Sequence, residues 1–204
     1  MTDKDPRDAV NSYITDMLAL EQHISKALEG QVQELKAYPE LTAELRGALG
    51  TIGGHISTLE MLSRTRGGEG GGGAIKKIGS ALLGFGAAAI DLVRNEGMPK
   101  NLRDDYTAFS LATIGYVMLH TTALSLGDRE TGDIAKRHLA DYAGFVMSVN
   151  NLVPAATIKF LQEEGLPVRQ DVLSEVNDNV RSVWREEARS APAASSAPTA
   201  SSKR

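Results

Sequence analysis

The sequence predicts an all-α protein: an antiparallel four-helix bundle with a long, partly helical crossover between its second and third helices and an extra helix on the C-terminal side. Three observations carry this prediction. Apolar residues recur at alternating steps of four and three along long stretches of the 204-residue chain, which is the spacing of a helical bundle seam. No stretch alternates with a period of two, as half-buried strands do. Residues 66–101 separate two predicted helical hairpins, and long crossovers of this kind belong to a known class of bundles.

The first helix begins at Pro6 with Asp5 as its N-cap and runs to about Gln33. Its seam reads Val10, Ile14, Met17, Glu21, Ile24 and Leu28, so a carboxylate occupies a core position. The second helix runs from Pro39 to about Thr65, with the seam Leu41, Leu45, Ala48, Ile52, His55, Leu59 and Leu62. His55 therefore points the same way as the leucines. Gly47, Gly50, Gly53 and Gly54 weaken that helix by about 1 kcal/mol each relative to alanine. They imply a neighbouring backbone at close approach.

RGGEGGGG (66–73) is a flexible break. It lacks the strand and the GxxxxGK[ST] pattern of a phosphate cradle. The apolar stretch 74–97 reads as a crossover helix packed on the bundle, with a membrane-surface helix as the alternative. The third helix spans about Leu102 to Leu126. From Tyr106 to Gly127 it carries no charged residue and is long enough to span a bilayer. Its Thr107, Ser110, Thr113, His120, Thr121, Thr122 and Ser125 would be penalised by lipid, so a central helix covered by protein is expected and a membrane span is argued against. The fourth helix follows the GDRETGD turn, from about Asp133 to Val153, where Pro154 kinks or ends it. Its continuation closes at Gly165, a natural C′ glycine. A last helix, 170–188, gathers Val172, Val176, Val180, Val183 and Trp184 on one face.

The resulting plan is a flexible N-terminus (1–5), a ferritin-like four-helix bundle (6–165), a C-terminal amphipathic helix (166–188) and an Ala/Pro/Ser-rich disordered tail (189–204). Lys and Arg total 22 against 26 Asp and Glu, a net charge of −4, which argues against nucleic-acid partners. The absence of cysteine removes disulfides, thiolate nucleophiles and Cys-type zinc sites. The charged opening residues carry no apolar signal core, and a cytoplasmic location is expected. No GxSxG elbow follows a strand.

Metal sites in ferritin-like bundles take a Glu from each of two helices and a Glu-x-x-His pair from each of the other two. Glu21 suits the first position. His55 suits a histidine position, but Ile52 stands where its glutamate belongs. The third helix has no acid at all between Tyr106 and Gly127, and the fourth offers His138 and Asp141 in reversed order, with Gly144 where the histidine would follow. At most three of the six standard ligands survive.

The stretches GHISTLEML (54–62), LRDDYTAFSLATIGYVML (102–119) and ALSLGDRETGDIAKRHLADY (123–142) resemble the YciF-like ferritin-like family of bacterial, stress-associated bundle proteins, over roughly residues 8–150. The resemblance implies the same fold and a stress-associated role. In that family a glutamate typically precedes the Gly-Tyr of the third helix. Here Gly115-Tyr116 is present while Ala112 stands in the acid's place, so the resemblance implies a degenerate metal site.

Of the histidines, His23 reads as surface, two residues from Glu21 and facing away, and His138 reads as polar-face, beside Lys136 and Arg137. His55 and Glu21 form either a buried hydrogen-bonded pair or part of a metal site. His120, one turn after Tyr116, either donates to a helix carbonyl or joins that site. Glu21, His55, His120 and Asp141 make the candidate ligand set for a single iron, manganese or zinc ion; the ligand count otherwise implies no cofactor. The leading expectation is a structural or interaction protein that has lost its di-iron site and uses its C-terminal helix toward a second copy or a protein partner. An atypical metal-binding redox protein is the alternative, and a membrane-associated protein the third reading.

Overall fold

The computed structural model describes residues 5–35, 38–66 and 97–190. Five helices make up almost all of them, and no strand occurs among them: α1 (Pro6–Glu34), α2 (Pro39–Thr65), α3 (Met98–Ser125), α4 (Arg129–Glu163) and α5 (Leu173–Ser190). Residues 67–96 of the crossover, with all but the last residue of the apolar helix expected at 74–97, lie outside the described residues, as do residues 36–37, the opening four residues and the tail from 191 onward.

Local chemistry sets the ends of these helices. Asp5 caps α1 by accepting a hydrogen bond from the Arg7 amide at 2.9 Å. Gly127, at φ +81°, ends α3 in a left-handed conformation that favours glycine. The Asp128 amide reaches back to the Ala123 carbonyl and the Gly127 amide to that of Leu124, a Schellman closure. Asp128 then caps α4 through the Thr131 amide at 3.1 Å. Arg66, just past α2, forks onto the same Asp128 carboxylate, so the end of α2 is tied to the α3–α4 turn. At the opposite end, Thr42 donates to the Leu35 carbonyl at 2.7 Å, joining α2 to the last turn of α1.

α3 and α4 share the most extensive interface; α1 packs on both α2 and α3, and α2 closes more lightly on α4. All six residues of the predicted α1 seam and all seven of the α2 seam are buried. α3 contributes Leu102, Asp105, Phe109, Ala112, Tyr116, Leu119 and Ala123, and α4 contributes Thr131, Ala135, His138 and Tyr142, again at steps of four and three. The core is therefore one continuous column between four seams.

Four expectations change. α4 passes through Pro154 without ending and closes at Gly165; burial of Val149 and Ala156 on either side holds the helix together across the missing amide donor. α3 begins at Met98, with Pro99 in its first turn, and α4 at Arg129, each about a turn earlier than the expected Leu102 and Asp133. A Cβ added at Gly47, Gly50, Gly53 or Gly54 would meet nothing within 4 Å among the described residues, so no described backbone approaches these glycines. Finally, the described residues cover α3 on one face only. Leu111, Ile114, Val117 and Met118 are exposed, although the helix is long and apolar enough by composition to cross a membrane.

Candidate metal centre

Midway along the column, the four seams bring polar groups instead of hydrocarbon to the axis. Glu21 of α1 is completely buried. Its Oε1 accepts from the Tyr116 hydroxyl of α3 in a very short bond and lies 3.1 Å from Nδ1 of His55 on α2. Its Oε2 accepts from the Tyr142 hydroxyl of α4 at 2.5 Å. His138, also on α4, places Nδ1 2.9 Å from the Tyr116 oxygen and stacks its ring on His55, with centroids 3.8 Å apart and planes 17° from parallel. One buried acid thus meets two phenols and an imidazole, and a second imidazole is layered on the first.

The charge states follow from the packing. Burial pulls His55 down, but Glu21 on one side and Asp141 on the other outweigh it, and the group is held above its ordinary value. With Nε2 3.0 Å from Asp141 Oδ2, an imidazolium can donate from both nitrogens, one to each carboxylate. His138 has the opposite fate. Burial first, then the neighbouring His55 and Arg137, push it down to about 3, so it is neutral at pH 7. Because Tyr116 gives its own proton to Glu21, its oxygen accepts from His138 Nδ1–H. Burial and the Glu21 charge raise both tyrosines, which stay protonated as donors.

Of the residues singled out from sequence, Glu21, His55 and Asp141 are joined in one hydrogen-bonded chain. Asp141 is its solvent end, with 47% of its side chain exposed. His120 is half-buried and directs Nδ1 at the Gly132 carbonyl, 2.7 Å away; this is the carbonyl contact that sequence left open for it. His23 is exposed. His138 does not lie on a polar face: it is 5% exposed. The signal that places it was present in the spacing Thr131, Ala135, His138, Tyr142, the same four-three-four step that defines the other seams.

Glu21, His55 and His138 each offer a ligand atom, and these atoms all lie within 4.8 Å of one another. Two imidazoles and a carboxylate are a donor set for iron, manganese or zinc. The set fits an ion by chemistry and by burial. An ion would nevertheless enter a network already satisfied by protons, so its binding must displace at least the proton on His55 Nδ1.

The family described as Domain of unknown function (DUF892) matches residues 6–161 of the chain. Among solved structures, a crystal structure of a protein from Xanthomonas campestris pv. campestris is similar at a TM-score of 0.64 and 16% identity, covering 80% of this chain and 100% of that one; at that identity the likeness is one of fold. No curated protein matches the sequence.

Proposed function

The chain belongs to the DUF892 family, and from that premise we propose that it is a ferritin-like, YciF-like bundle that holds a single metal ion in a reduced site made by Glu21, His55 and His138. The observation that carries this reading is the convergence of one carboxylate and two imidazoles, all buried, from three different helices. Asp141 supports it from outside. A carboxylate accepting from His55 Nε2–H fixes the tautomer in which Nδ1 carries the lone pair, the common outer arrangement around a metal-bound histidine. His138, held neutral by burial, needs only to move its proton from Nδ1 to Nε2 to present a lone pair beside Glu21. A bound ion would supply Lewis acidity and, if iron or manganese, one-electron chemistry. The residues around it exclude bulk water, anchor the carboxylate through Tyr142 and leave Asp141 as the route by which a proton reaches solvent.

This departs from the six-ligand di-iron pattern, because Ala112 on α3 and Ile52 on α2 are buried core residues that bring no oxygen to the axis. The test is metal analysis of protein loaded with iron, manganese or zinc and then desalted. About one equivalent per chain, lost in His55→Ala and His138→Ala but kept in His120→Ala, supports the assignment. Metal below a tenth of an equivalent, or metal indifferent to both substitutions, overturns it.

A second reading rests on α5, which touches only α4 to any extent and leaves Val176, Val183 and Trp184 exposed at 37%, 59% and 48%. Such a stripe fits a structural or interaction role, with a second copy of the chain as the partner. Light scattering on the full chain and on a chain ending at Gly165 tests it: a dimer that becomes a monomer on truncation supports the role, and a monomer in both cases refutes it.

A further inference from the structure

Tyr116 is the group that the metal reading does not use, and its position is unlike that of its neighbour Tyr142. The hydroxyl of Tyr142 meets only Glu21 Oε2. The hydroxyl of Tyr116 meets Oε1, the same oxygen that faces His55 Nδ1, and it also meets Nδ1 of His138. The donors thus run as a chain: His55 Nδ1, Glu21 Oε1, Tyr116 Oη, His138 Nδ1. Around a four-coordinate ion with bonds near 2.0–2.1 Å, adjacent donor atoms are about 3.3 Å apart. The contacts of 3.1 Å at the His55 end and 2.9 Å at the His138 end are close to such edges, and the Tyr116–Glu21 contact is shorter still. Tyr116 is fully buried, at 0% exposure, and its oxygen sits between two of the three proposed ligands.

We propose that Tyr116 is a fourth ligand, and that its phenolate oxygen makes this a site for ferric iron. The inference rests on the metal reading above and adds the oxidation state that the site prefers. A carboxylate and a phenolate bring two negative charges to one ion in a buried setting, which favours the higher charge of Fe(III) over Fe(II). The step balances simply. Fe(II) held by the three residues gives one electron to an added oxidant, ferricyanide. The Tyr116 O–H bond breaks, an Fe–O bond forms, and the proton leaves to solvent. Tyr142 keeps its proton and its bond to the other carboxylate oxygen.

The experiment loads the full chain with ferrous ammonium sulfate without air, desalts it, oxidises it with ferricyanide, and records the visible spectrum and the resonance Raman spectrum excited within any visible band. The same is done with Tyr142→Phe and Tyr116→Phe, each checked for helical content by circular dichroism. The expected result is retained iron, a visible phenolate-to-iron charge-transfer band, and enhanced phenolate ring modes that persist in Tyr142→Phe and vanish in Tyr116→Phe. Retained iron without phenolate modes, or modes that vanish in Tyr142→Phe and persist in Tyr116→Phe, overturns the proposal and leaves the three-residue site standing. Absence of retained iron in the unsubstituted protein overturns both this proposal and the iron form of the site.

Discussion

Replacing Glu21 with methionine removes the one acceptor on which three buried donors converge, while keeping the length and nearly the volume of the side chain. In the unsubstituted protein the Tyr116 and Tyr142 hydroxyls and His55 Nδ1 all turn to that carboxylate. A buried donor left without a partner costs about 1–3 kcal/mol. Tyr116 can recover one bond by turning its proton to His138 Nδ1, 2.9 Å away. Tyr142 and His55 Nδ1 have no such outlet among the described residues, and His55 loses the fully buried one of its two counter-charges. The expected cost is therefore about 3–5 kcal/mol, the range for breaking a buried charged pair, against a total stability of about 5–15 kcal/mol for a domain. At about 2–4 °C per kcal/mol for a chain of this size, Tm should fall by roughly 6–20 °C. Urea unfolding in EDTA, followed by far-ultraviolet circular dichroism, measures the change without metal. The same measurement on Tyr142→Phe, alone and in the Glu21→Met background, isolates the network. The phenol should be worth about 1.5–3 kcal/mol with Glu21 present and close to nothing without it. A Glu21→Met cost below about 1 kcal/mol, or a Tyr142→Phe cost equal in both backgrounds, refutes the network as a source of stability.

Asp105, buried on α3 and pushed up to about 7 mainly by that burial, predicts a pH-dependent gain. Its folded value lies above the unfolded one, so its contribution is intact at acid pH and is lost as pH rises toward and through 7. Asp105→Asn should therefore stabilise the protein by about 2–4 kcal/mol at pH 8 and by much less at pH 4, and the new amide can donate to Gln31 Oε1, which has no partner among the described residues. A pH-independent difference contradicts this. Gly50→Ala and Gly54→Ala, on the face of α2 that none of the described residues meets within 4 Å, should each stabilise by about 0.5–1 kcal/mol. Gly115→Ala should destabilise, because its Cβ would stand 2.5 Å from Met17 Sδ; thermal melts of the three variants decide. Metal affinity should fall as pH falls, by about tenfold per unit while His55 is charged, since that group is held above its ordinary value. Isothermal titration at pH 6 and pH 8 that gives equal affinity would count against displacement of the His55 proton.

Much of this architecture was legible because it is local. Asp5, Pro6, Pro39 and Gly165 mark helix ends by cap chemistry that needs no tertiary context, and the α1 and α2 seams announce their burial by spacing alone; the Gly127–Asp128 boundary was missed because the polar GDRETGD stretch reads as a turn, although its last five residues are helical. Glu21 and His55 were visible for the same reason: a polar residue in an apolar register stands out. His138 was less visible because Lys136 and Arg137 precede it and Asp141 follows. Charged neighbours that lie outside the seam obscured the register it shares with Ala135 and Tyr142. The part played by Tyr116 and Tyr142 was not legible, since nothing in spacing reveals that both hydroxyls turn to one carboxylate. The glycines of α2 misled in the other direction. Their cost to the helix was legible, but whether a neighbour approached them depended on which face they shared, and none of the described residues meets that face within 4 Å.

The central claim is that one metal ion belongs between Glu21, His55 and His138. Anomalous difference density from crystals grown with manganese(II) or iron(II), collected at the absorption edge of the metal, tests it most directly. The account predicts one strong peak bonded to all three side chains, with His55 Nε2 still donating to Asp141. A site without a peak, with the Glu21–His55 hydrogen bond intact and density only at surface carboxylates, would contradict it.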